Sequence, residues 1–270
     1  GGLEKAVITL ANALAERDDY QISLYIVLRS EPIVPISNKI KVVFLTNLRL
    51  KKEKKAERYL RKLLELRAVK GAIQGLCNAV VISSRNEYST IISKHTDGSN
   101  FVIAQLHNDY SAGEALDFKN KYCNVDVFVQ LNETFKKEIE SIMRKNTHTT
   151  ISVIPNFIER QVYEDVVREN YVIAVGGFNK VKGFDRLVVI WEKVCETHSN
   201  DWKLLIVGDG KEFENIKGLV EEKGLRDKVV LLGRLPNDAV FQYMRTAKIY
   251  ALSSYSEAFP FVVLEAMYSK

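Results

Sequence analysis

Two glutamates, Glu257 and Glu265, flank a proline in the stretch Glu257-Ala-Phe-Pro-Phe-Val-Val-Leu-Glu265. An apolar strand pattern ends at Leu252, a serine-rich turn follows, and Pro260 lies where proline is favoured in the first turn of a helix. A helix that begins there presents free backbone N–H groups and the positive end of its dipole. Both features suit the binding of a diphosphate group.

The spacing places the two carboxylates differently relative to such an anion. Glu265 follows Pro260 by five residues, which is about 7.5 Å along a helix axis. That offset suits the ribose hydroxyls of a nucleotide, which a carboxylate can bind in pairs, whereas Glu257 would face the sugar side of the diphosphate. The alternative is that Glu257 is a solvated turn acid and Glu265 a solvated helix residue, the commoner state of a single glutamate.

His107 is a second candidate. It follows the strand pattern Phe101–Leu106 and begins the polar turn His107-Asn-Asp-Tyr110, so we expect it at the carboxyl edge of a sheet. A histidine in a turn is more often structural or solvated than functional. Its position by itself therefore leaves both interpretations open.

Glycine-containing turns form a third, weaker group. Gly176-Gly177 and Gly208-Asp-Gly210 each follow a strand pattern, but such glycines are common wherever a strand turns into a helix. Gly2 would allow a phosphate or an acceptor to approach the first helix.

The elements that must position these residues alternate between apolar, β-branched runs and helical patterns, which is typical of an α/β fold with parallel sheets. Strands are predicted at Gln21–Leu28, Lys41–Leu45, Ala79–Ser83, Phe101–Leu106, Val125–Leu131, Ile151–Pro155, Tyr171–Val175, Trp202–Val207, Lys228–Leu232 and Lys248–Leu252. Helices are predicted at Leu3–Glu16, Lys52–Leu66, Ala112–Lys119, Thr134–Arg144, Lys182–Thr197, Phe213–Lys223, Asp238–Thr246 and Glu257–Tyr268.

The chain of 270 residues is long enough for two modest domains. The segment from Asn156 to Asn170 has no strong apolar period, and we predict the domain junction there, with domains at 1–156 and 157–270. Two such series predict paired Rossmann-like domains with a ligand in the cleft that faces the strands' carboxyl ends. Because a core strand is missing before the first helix and after the last, we expect both domains to be truncated.

Several of these stretches together resemble the family 4 retaining glycosyltransferases, whose fold is the GT-B type with two Rossmann-like domains. The stretch from Glu257 to Glu265 is similar to the family's E-x7-E signature. Further similar stretches are Gly1-Gly-Leu-Glu4, Val153-Ile-Pro-Asn156, Val175-Gly-Gly-Phe-Asn-Lys-Val-Lys-Gly-Phe-Asp185 and Leu205-Ile-Val-Gly-Asp-Gly210. The resemblance covers nearly all of the second half and covers the first half more loosely.

The resemblance implies roles in binding a nucleoside diphosphate sugar, with no other cofactor. Glu265 would bind the ribose hydroxyls and Glu257 the hydroxyls of the donor sugar. Lys182 would neutralise charge on the leaving group. The diphosphate would be held by the backbone of Phe259, Pro260, Phe261 and Val262.

The remaining implied roles come with two departures from the family. The resemblance implies that His107 positions the donor sugar and that the backbone of Leu235 contacts the base. Gly177, in the phosphate loop, stands where the family usually has an arginine, so one cation is missing unless Lys180 substitutes. Ala258, where the family often has glycine, is a milder departure.

We therefore expect a retaining, metal-independent hexosyltransferase that transfers a sugar from a nucleoside diphosphate sugar to an acceptor hydroxyl, in bacterial surface polysaccharide or lipopolysaccharide synthesis. The alternative is a catalytically degenerate homologue that binds the nucleotide sugar or serves as a partner subunit. A GT-B enzyme of other chemistry, such as an epimerase, is disfavoured by the E-x7-E resemblance.

No metal site is indicated, because no Asp-x-Asp pair ends a strand beside the site and the histidines are dispersed. They are His95, His107, His148 and His198.

Charge and cysteine content bear on partners and compartment. The three cysteines are far apart, which indicates a reducing compartment, and we expect a cytoplasmic protein. The net charge is +5, and residues 49–70 carry ten Lys or Arg against three Glu. This segment, Arg49–Lys70, is predicted as an amphipathic helix, either an ordinary surface helix or a peripheral contact to an anionic membrane near lipid-linked acceptors. Nucleic acid is not indicated, since no recognised motif accompanies the charge.

Overall fold

The structure is a computed structural model, and it describes residues 2–29, 32, 34–49, 54–106, 121–143, 148–158, 164–197 and 201–269. The chain forms two compact units, Gly1–Phe157 and Ile158–Lys270. The boundary lies one residue from the predicted junction. His107 and the predicted helix Ala112–Lys119 lie outside the described residues.

The first unit contains parallel strands and helices in alternation. Its strands are β1 (Ser23–Ile26), β2 (Lys41–Phe44), β3 (Val80–Ser83), β4 (Phe101–Gln105), β5 (Val127–Gln130) and β6 (Thr150–Val153). Its described helices are α1 (Gly2–Ala15), α2 (Lys55–Gln74), α3 (Asn86–His95) and α4 (Glu133–Met143). Strands β1 and β2 pair with each other, and β3 to β6 form a second parallel sheet in sequence order.

Two helices of the first unit differ from the sequence prediction. Helix α2 continues to Gln74, eight residues past its predicted end, because Val69 and Ile73 are buried in the core and extend its packed side. Helix α3 was missed because its apolar content is low and its buried side includes the serines Ser89 and Ser93. In the described residues, no helix is long and apolar enough to cross a membrane.

The second unit contains one four-stranded parallel sheet. Its strands are β7 (Glu169–Val175), β8 (Lys203–Val207), β9 (Val229–Gly233) and β10 (Ala247–Tyr250), in the order β10-β7-β8-β9. Its helices are α5 (Phe184–Thr197), α6 (Phe213–Glu222), α7 (Asn237–Thr246) and α8 (Phe261–Tyr268), with a 3₁₀ turn at Lys180–Lys182. Strands β8 and β9 follow on one side of β7, and β10 pairs with the other side of β7.

Both faces of this sheet are covered. Val172 and Ala174 of β7 pack into a cluster with helices α5 and α6, whereas Tyr171 and Ile173 pack into a cluster on the opposite face with α7. Successive side chains of a strand point to opposite faces, so a sheet with helices on both faces needs continuous apolar strands. The predicted α/β fold with parallel sheets is confirmed.

Candidate functional site

An ion pair at the carboxyl edge of the second sheet joins the loops that follow two neighbouring strands. Lys182 lies after β7 and Glu257 after β10, and these strands pair in parallel. Lys182 Nζ donates to Glu257 Oε1 over 2.6 Å, and Ser254 Oγ donates to the same oxygen over 2.7 Å. The charged side chains are only 24% and 21% exposed. Glu257 is therefore a bound carboxylate, and the solvated-turn alternative is wrong.

Close backbone contact holds these two loops in place. Gly183, at φ +60°, lies so near Ser253 that a Cβ would fall 2.3 Å from the Ser253 carbonyl oxygen. Ser253 Oγ donates to the Lys182 carbonyl over 2.9 Å. The Arg186 guanidinium donates to the carbonyls of Ser253 and Ser254 and stacks 4.3 Å over the Tyr255 ring. The close backbone approach and these side-chain hydrogen bonds together fix the position of Lys182 relative to Glu257.

The glycines of the adjacent loop, after β8, make a similarly close approach. A Cβ on Gly208, at φ +140°, would lie 1.9 Å from the Gly176 carbonyl oxygen, and one on Gly210 would lie 2.4 Å from that of Phe178. The Phe178 N–H donates to the Asp209 carbonyl over 2.9 Å. These glycines bring the loops after β7 and β8 into contact, which their weak sequence signal did not reveal.

Helix α8 presents its N-terminus at the same edge. The sequence predicted a helix from Glu257, but α8 begins at Phe261, and Pro260 precedes its first turn with φ −75° and ψ 121°. The Val263 N–H donates to the Pro260 carbonyl over 3.2 Å. The N–H groups of Phe261 and Val262 remain without intrahelical partners, as at any helix start. Pro260 has no N–H, so it can shape the turn but cannot donate to an anion.

Glu265 lies in the middle of α8 and is buried, with 9% exposure. Its backbone carbonyl accepts from the Ser269 N–H over 2.9 Å and from Ser269 Oγ over 2.7 Å. A buried glutamate needs compensating partners, because desolvation of a carboxylate is costly. The alternative that Glu265 is a solvated helix residue is wrong.

Tyr250, the last residue of β10, is a member of this cluster that the sequence analysis missed. Its hydroxyl is buried and makes no hydrogen bond of ordinary length and angle with the described residues, although the Val175 backbone acts to lower its pKa. Burial, followed by the charges of Glu265 and Glu257, raises the pKa of its phenol. Both acids therefore act on one hydroxyl. The sequence analysis extended this strand to Leu252, whereas the strand ends at Tyr250. It therefore did not place Tyr250 at the strand's carboxyl end.

The other predicted residues are distributed as follows. Gly177 is exposed in the loop after β7, and Leu235 packs half-buried against the same core cluster as Val262 and Tyr250. Phe259 is half-buried in the loop before α8. Gly2 is the exposed first residue of α1, in the first unit. Their proposed ligand contacts remain predictions, as does the role of His107.

The described residues contain no group of three or more His, Cys, Asp or Glu side chains arranged to hold a metal ion. Lys182 and the first-turn amides of α8 supply a cation and N–H donors at this edge, whereas the amides of Gly176 and Phe178 already donate to the carbonyls of Val207 and Asp209. Such a set can hold an anion with two phosphate groups, and the buried acid of α8 can accept from hydroxyl groups.

Residues 156–270 match the sequence model of the family described as Glycosyl transferases group 1. This range contains the whole second unit, with the ion pair, the glycine loops and α8. Over these residues the chain is similar to the group 1 glycosyltransferases. This similarity supports the predicted glycosyltransferase assignment.

Relatives extend the similarity over the rest of the chain. The chain is 28% identical over 270 residues to a glycosyltransferase of Haemophilus influenzae, and the match covers 99% of this chain and 74% of that protein. It is 27% identical over 277 residues to the amylovoran biosynthesis glycosyltransferase AmsD of Erwinia amylovora, covering 98% of this chain and 74% of that protein.

A solved structure shows the fold of both units. The sucrose-phosphate synthase of Thermosynechococcus elongatus matches with a TM-score of 0.75 and 18% identity, over 99% of this chain and 73% of that one. At this identity the match concerns the fold, and the predicted GT-B type with two Rossmann-like domains is confirmed.

Proposed function

We propose that this chain is a group 1 glycosyltransferase that transfers a hexose-type sugar from a nucleoside diphosphate sugar to an acceptor hydroxyl, with retention of the anomeric configuration. The observation that carries the proposal is the arrangement around α8. A helix N-terminus faces the loop of the Lys182–Glu257 ion pair, and a buried carboxylate, Glu265, lies one turn further along the helix.

The donor would extend along this helix. Its ribose hydroxyls would donate to Glu265, and its diphosphate would accept from the Phe261 and Val262 amides, with Phe259 and Pro260 shaping the turn. Its sugar would lie at Glu257, whose carboxylate can accept from sugar hydroxyls. The backbone after β9, at Leu235, would contact the base.

Lys182 would then exchange partners on donor binding. Before binding, its ammonium group is held by Glu257 at 2.6 Å. A diphosphate at the helix N-terminus would compete with Glu257 for Lys182 Nζ. It would neutralise the ammonium charge more fully, because the diphosphate carries more negative charge than one carboxylate. During reaction the bond from the anomeric carbon to the phosphate oxygen breaks, the diphosphate leaves with the electron pair, and Lys182 stabilises it.

The acceptor hydroxyl would attack the anomeric carbon from the face that the diphosphate leaves, and this same-face attack would retain the configuration. The hydroxyl proton would pass to an oxygen of the leaving diphosphate. We propose that His107 positions the donor sugar and that Gly2 allows the acceptor to approach α1. These steps use no metal ion, since Lys182 and helix amides neutralise the phosphates. The name of the Erwinia relative, an amylovoran biosynthesis enzyme, supports a surface polysaccharide or lipopolysaccharide precursor as acceptor.

The test is donor binding and donor hydrolysis by the intact chain and its variants, using the diphosphate sugars of uridine, guanosine and adenosine. Glu265→Ala is expected to weaken nucleotide binding about tenfold. Lys182→Ala is expected to lower turnover about 10²–10³-fold with a smaller effect on binding. Glu257→Ala is expected to lower turnover as well.

Glu214→Ala and Lys217→Ala are matched controls, because both side chains are exposed on α6. They should behave as the unmodified chain does. If Glu265→Ala binds nucleotide with unchanged affinity, the ribose assignment is wrong.

The alternative function is nucleotide-sugar binding without transfer. Gly177 favours it, because the site has one cation fewer than the pattern it resembles. Binding of a donor that is neither hydrolysed nor transferred to any acceptor in a pooled glycan and lipid extract would support this alternative and would exclude the enzyme proposal.

A further inference from the structure

Tyr250, the last residue of β10, has a buried hydroxyl group whose proton lacks an acceptor. The group makes no hydrogen bond of ordinary length and angle with the described residues. The Val175 backbone acts on the phenol oxygen as a donor would, because it lowers the pKa of the phenol. A donor can engage the oxygen but cannot take up its proton. The O–H group of Tyr250 is therefore a hydrogen-bond donor that the described structure leaves unused.

This unused donor has a cost that a phenylalanine at the same position would avoid. A buried donor without an acceptor raises the free energy of the folded state, because it has lost its hydrogen bonds to water. The Tyr250 ring packs against a core cluster on one face of the sheet, as Leu235 and Val262 do, and this packing needs no hydroxyl. An unsatisfied buried group in a native structure calls for an explanation, and a functional role is one of them.

The Glu265 carboxylate is the acceptor best placed to complete the tyrosine. Glu265 is buried on α8, three positions after Val262, and residues with this spacing lie on the same side of a helix. Because Val262 packs against the same cluster as Tyr250, this side of α8 is turned toward that cluster. Among the charges that raise the pKa of the phenol, that of Glu265 has the largest effect and that of Glu257 the next. Within the described residues, no hydrogen bond joins Tyr250 to either acid.

We propose that Tyr250 is a positioning residue for Glu265: its hydroxyl donates to the Glu265 carboxylate in the nucleotide-bound state and orients that carboxylate toward the ribose hydroxyls. This inference rests on the proposed function, in which Glu265 binds the ribose. A carboxylate has about four lone-pair sites, so it can accept from two ribose hydroxyls and from a phenol at once. The bond from the phenol is charge-assisted and therefore stronger than one between neutral groups. Nucleotide binding would fix the carboxylate and satisfy the buried hydroxyl in the same step.

The hydroxyl should therefore oppose stability and favour binding. In the ligand-free chain it is an unsatisfied buried group, whereas in the nucleotide-bound state it holds Glu265 in the orientation that the ribose needs. Removing it should leave the ligand-free chain as stable as before or more stable, and it should weaken nucleotide binding. A tyrosine that only fills space would not separate these two effects.

The experiment compares the intact chain with its Tyr250→Phe variant. Calorimetric titration with the diphosphates of uridine, guanosine and adenosine first identifies the nucleotide that binds. Tyr250→Phe should weaken the binding of that nucleotide about fivefold, with an unchanged or higher midpoint of urea denaturation. The two chains should bind the 2′,3′-dideoxy form of the nucleotide equally, because Glu265 then has no ribose hydroxyls to accept from. The fivefold loss should also vanish when Tyr250→Phe is combined with Glu265→Ala, because Tyr250 acts through that carboxylate.

Tyr171→Phe is the matched control, because it makes the same chemical change in the same core cluster. The Tyr171 hydroxyl donates to the Tyr243 carbonyl over 2.7 Å. Loss of this hydrogen bond should lower the midpoint of urea denaturation. It should leave the affinity for both forms of the nucleotide unchanged, since Tyr171 does not act through Glu265.

The outcomes separate this inference from the function on which it rests. If the unmodified chain binds none of the three nucleotides, the proposed function is overturned, and the inference with it. If the unmodified chain binds one of them and Tyr250→Phe binds it equally well, only the inference is overturned. An equal loss with the ribose and dideoxyribose forms would also overturn it, as would the same loss in chains that lack the Glu265 carboxylate.

Discussion

Lys182 and Glu257 bind each other, and this explains how two opposite charges can be kept half-buried beside a helix N-terminus. Each neutralises the other, and Ser254 adds a hydrogen bond to the carboxylate. A ligand that takes Lys182 must leave Glu257 with new donors, because an unpaired buried carboxylate is costly. A sugar with several hydroxyl groups supplies such donors. The pair thus favours a ligand that has phosphate and hydroxyl groups together.

We predict that affinity for a nucleoside diphosphate can be raised at Gly177. A Cβ there would lie 3.7 Å from Asn179 Nδ2 and 3.9 Å from the Asp209 carbonyl, which are ordinary contacts. A side chain can therefore begin at this position without displacing the loop. Gly177→Arg is expected to raise affinity for a nucleoside diphosphate about tenfold, through a charge-assisted bond to phosphate, as measured by calorimetric titration.

The control for this prediction is Gly218→Arg, which adds the same charge on α6, where a Cβ meets no atom within 4 Å. It should leave affinity unchanged. Equal gains in both variants would mean that net charge, and not a placed cation, controls binding. If the Gly177→Arg variant gains no affinity, the loop after β7 does not contact the diphosphate.

At the scale of elements, the site depends on how closely the loops after β7, β8 and β10 pack. Close backbone approaches at Gly183 and Gly208 set their spacing together with side-chain hydrogen bonds from Ser253 and Arg186. The sequence pattern predicted every strand of the second unit within a few residues, because its apolar runs are long and covered on both faces. It could not predict which loop touches which, because that depends on the strand order β10-β7-β8-β9.

Two glycine substitutions test this view of the loops. Gly208→Ala puts a Cβ 1.9 Å from the Gly176 carbonyl oxygen at φ +140°, and we expect a loss of several kcal/mol in the free energy of unfolding, about 2–4 kcal/mol. Gly218→Ala lies inside α6 with open space around it and should stabilise by about 0.5–1 kcal/mol. Urea denaturation would measure the free energy of unfolding of both variants. Changes of the same sign in the two variants would contradict this prediction.

At the scale of the whole molecule, each unit carries a half-buried tyrosine whose pKa is raised by burial and by the charge of glutamates. In the first unit, burial and then Glu65 raise the pKa of Tyr88, whose hydroxyl donates to Glu65 Oε2 over 2.8 Å. In the second unit, burial and then Glu265 and Glu257 raise the pKa of Tyr250. Both phenols are held neutral in the folded state.

This raises an expectation for alkaline pH. The folded state holds the two phenolic protons more tightly than the unfolded chain, whose tyrosines titrate near 10.0. Stability should be fully present below that pH and fall as the pH rises above it. Tyr250→Phe should flatten the fall and leave neutral stability unchanged or higher, because its hydroxyl has no partner in the described structure.

Tyr88→Phe should also flatten the alkaline fall but lower neutral stability by about 1–2 kcal/mol, because Glu65 loses a hydrogen bond. Thermal melts from pH 7 to pH 11 would check both variants. A fall in stability that is equally steep in the unmodified chain and both variants would show that other groups control alkaline unfolding.

The sequence by itself determined the α/β class and the parallel strands, and it singled out the stretch around Glu257 and Glu265. These features are carried by local periodicity and by a short motif whose geometry follows from one turn and one helix. The role of Arg49–Lys70 stayed open, because a helical pattern does not say which of its sides faces the core.

Only the tertiary structure decided that Glu265 is buried, that Lys182 binds Glu257, and that the charges of both glutamates act on Tyr250. Each of these depends on contacts between residues far apart in the chain; Lys182 and Glu257, for example, are 75 positions apart. Such contacts depend on strand order and helix packing, which in turn depend on the burial of many apolar side chains throughout the unit. A local pattern of residues therefore cannot predict them.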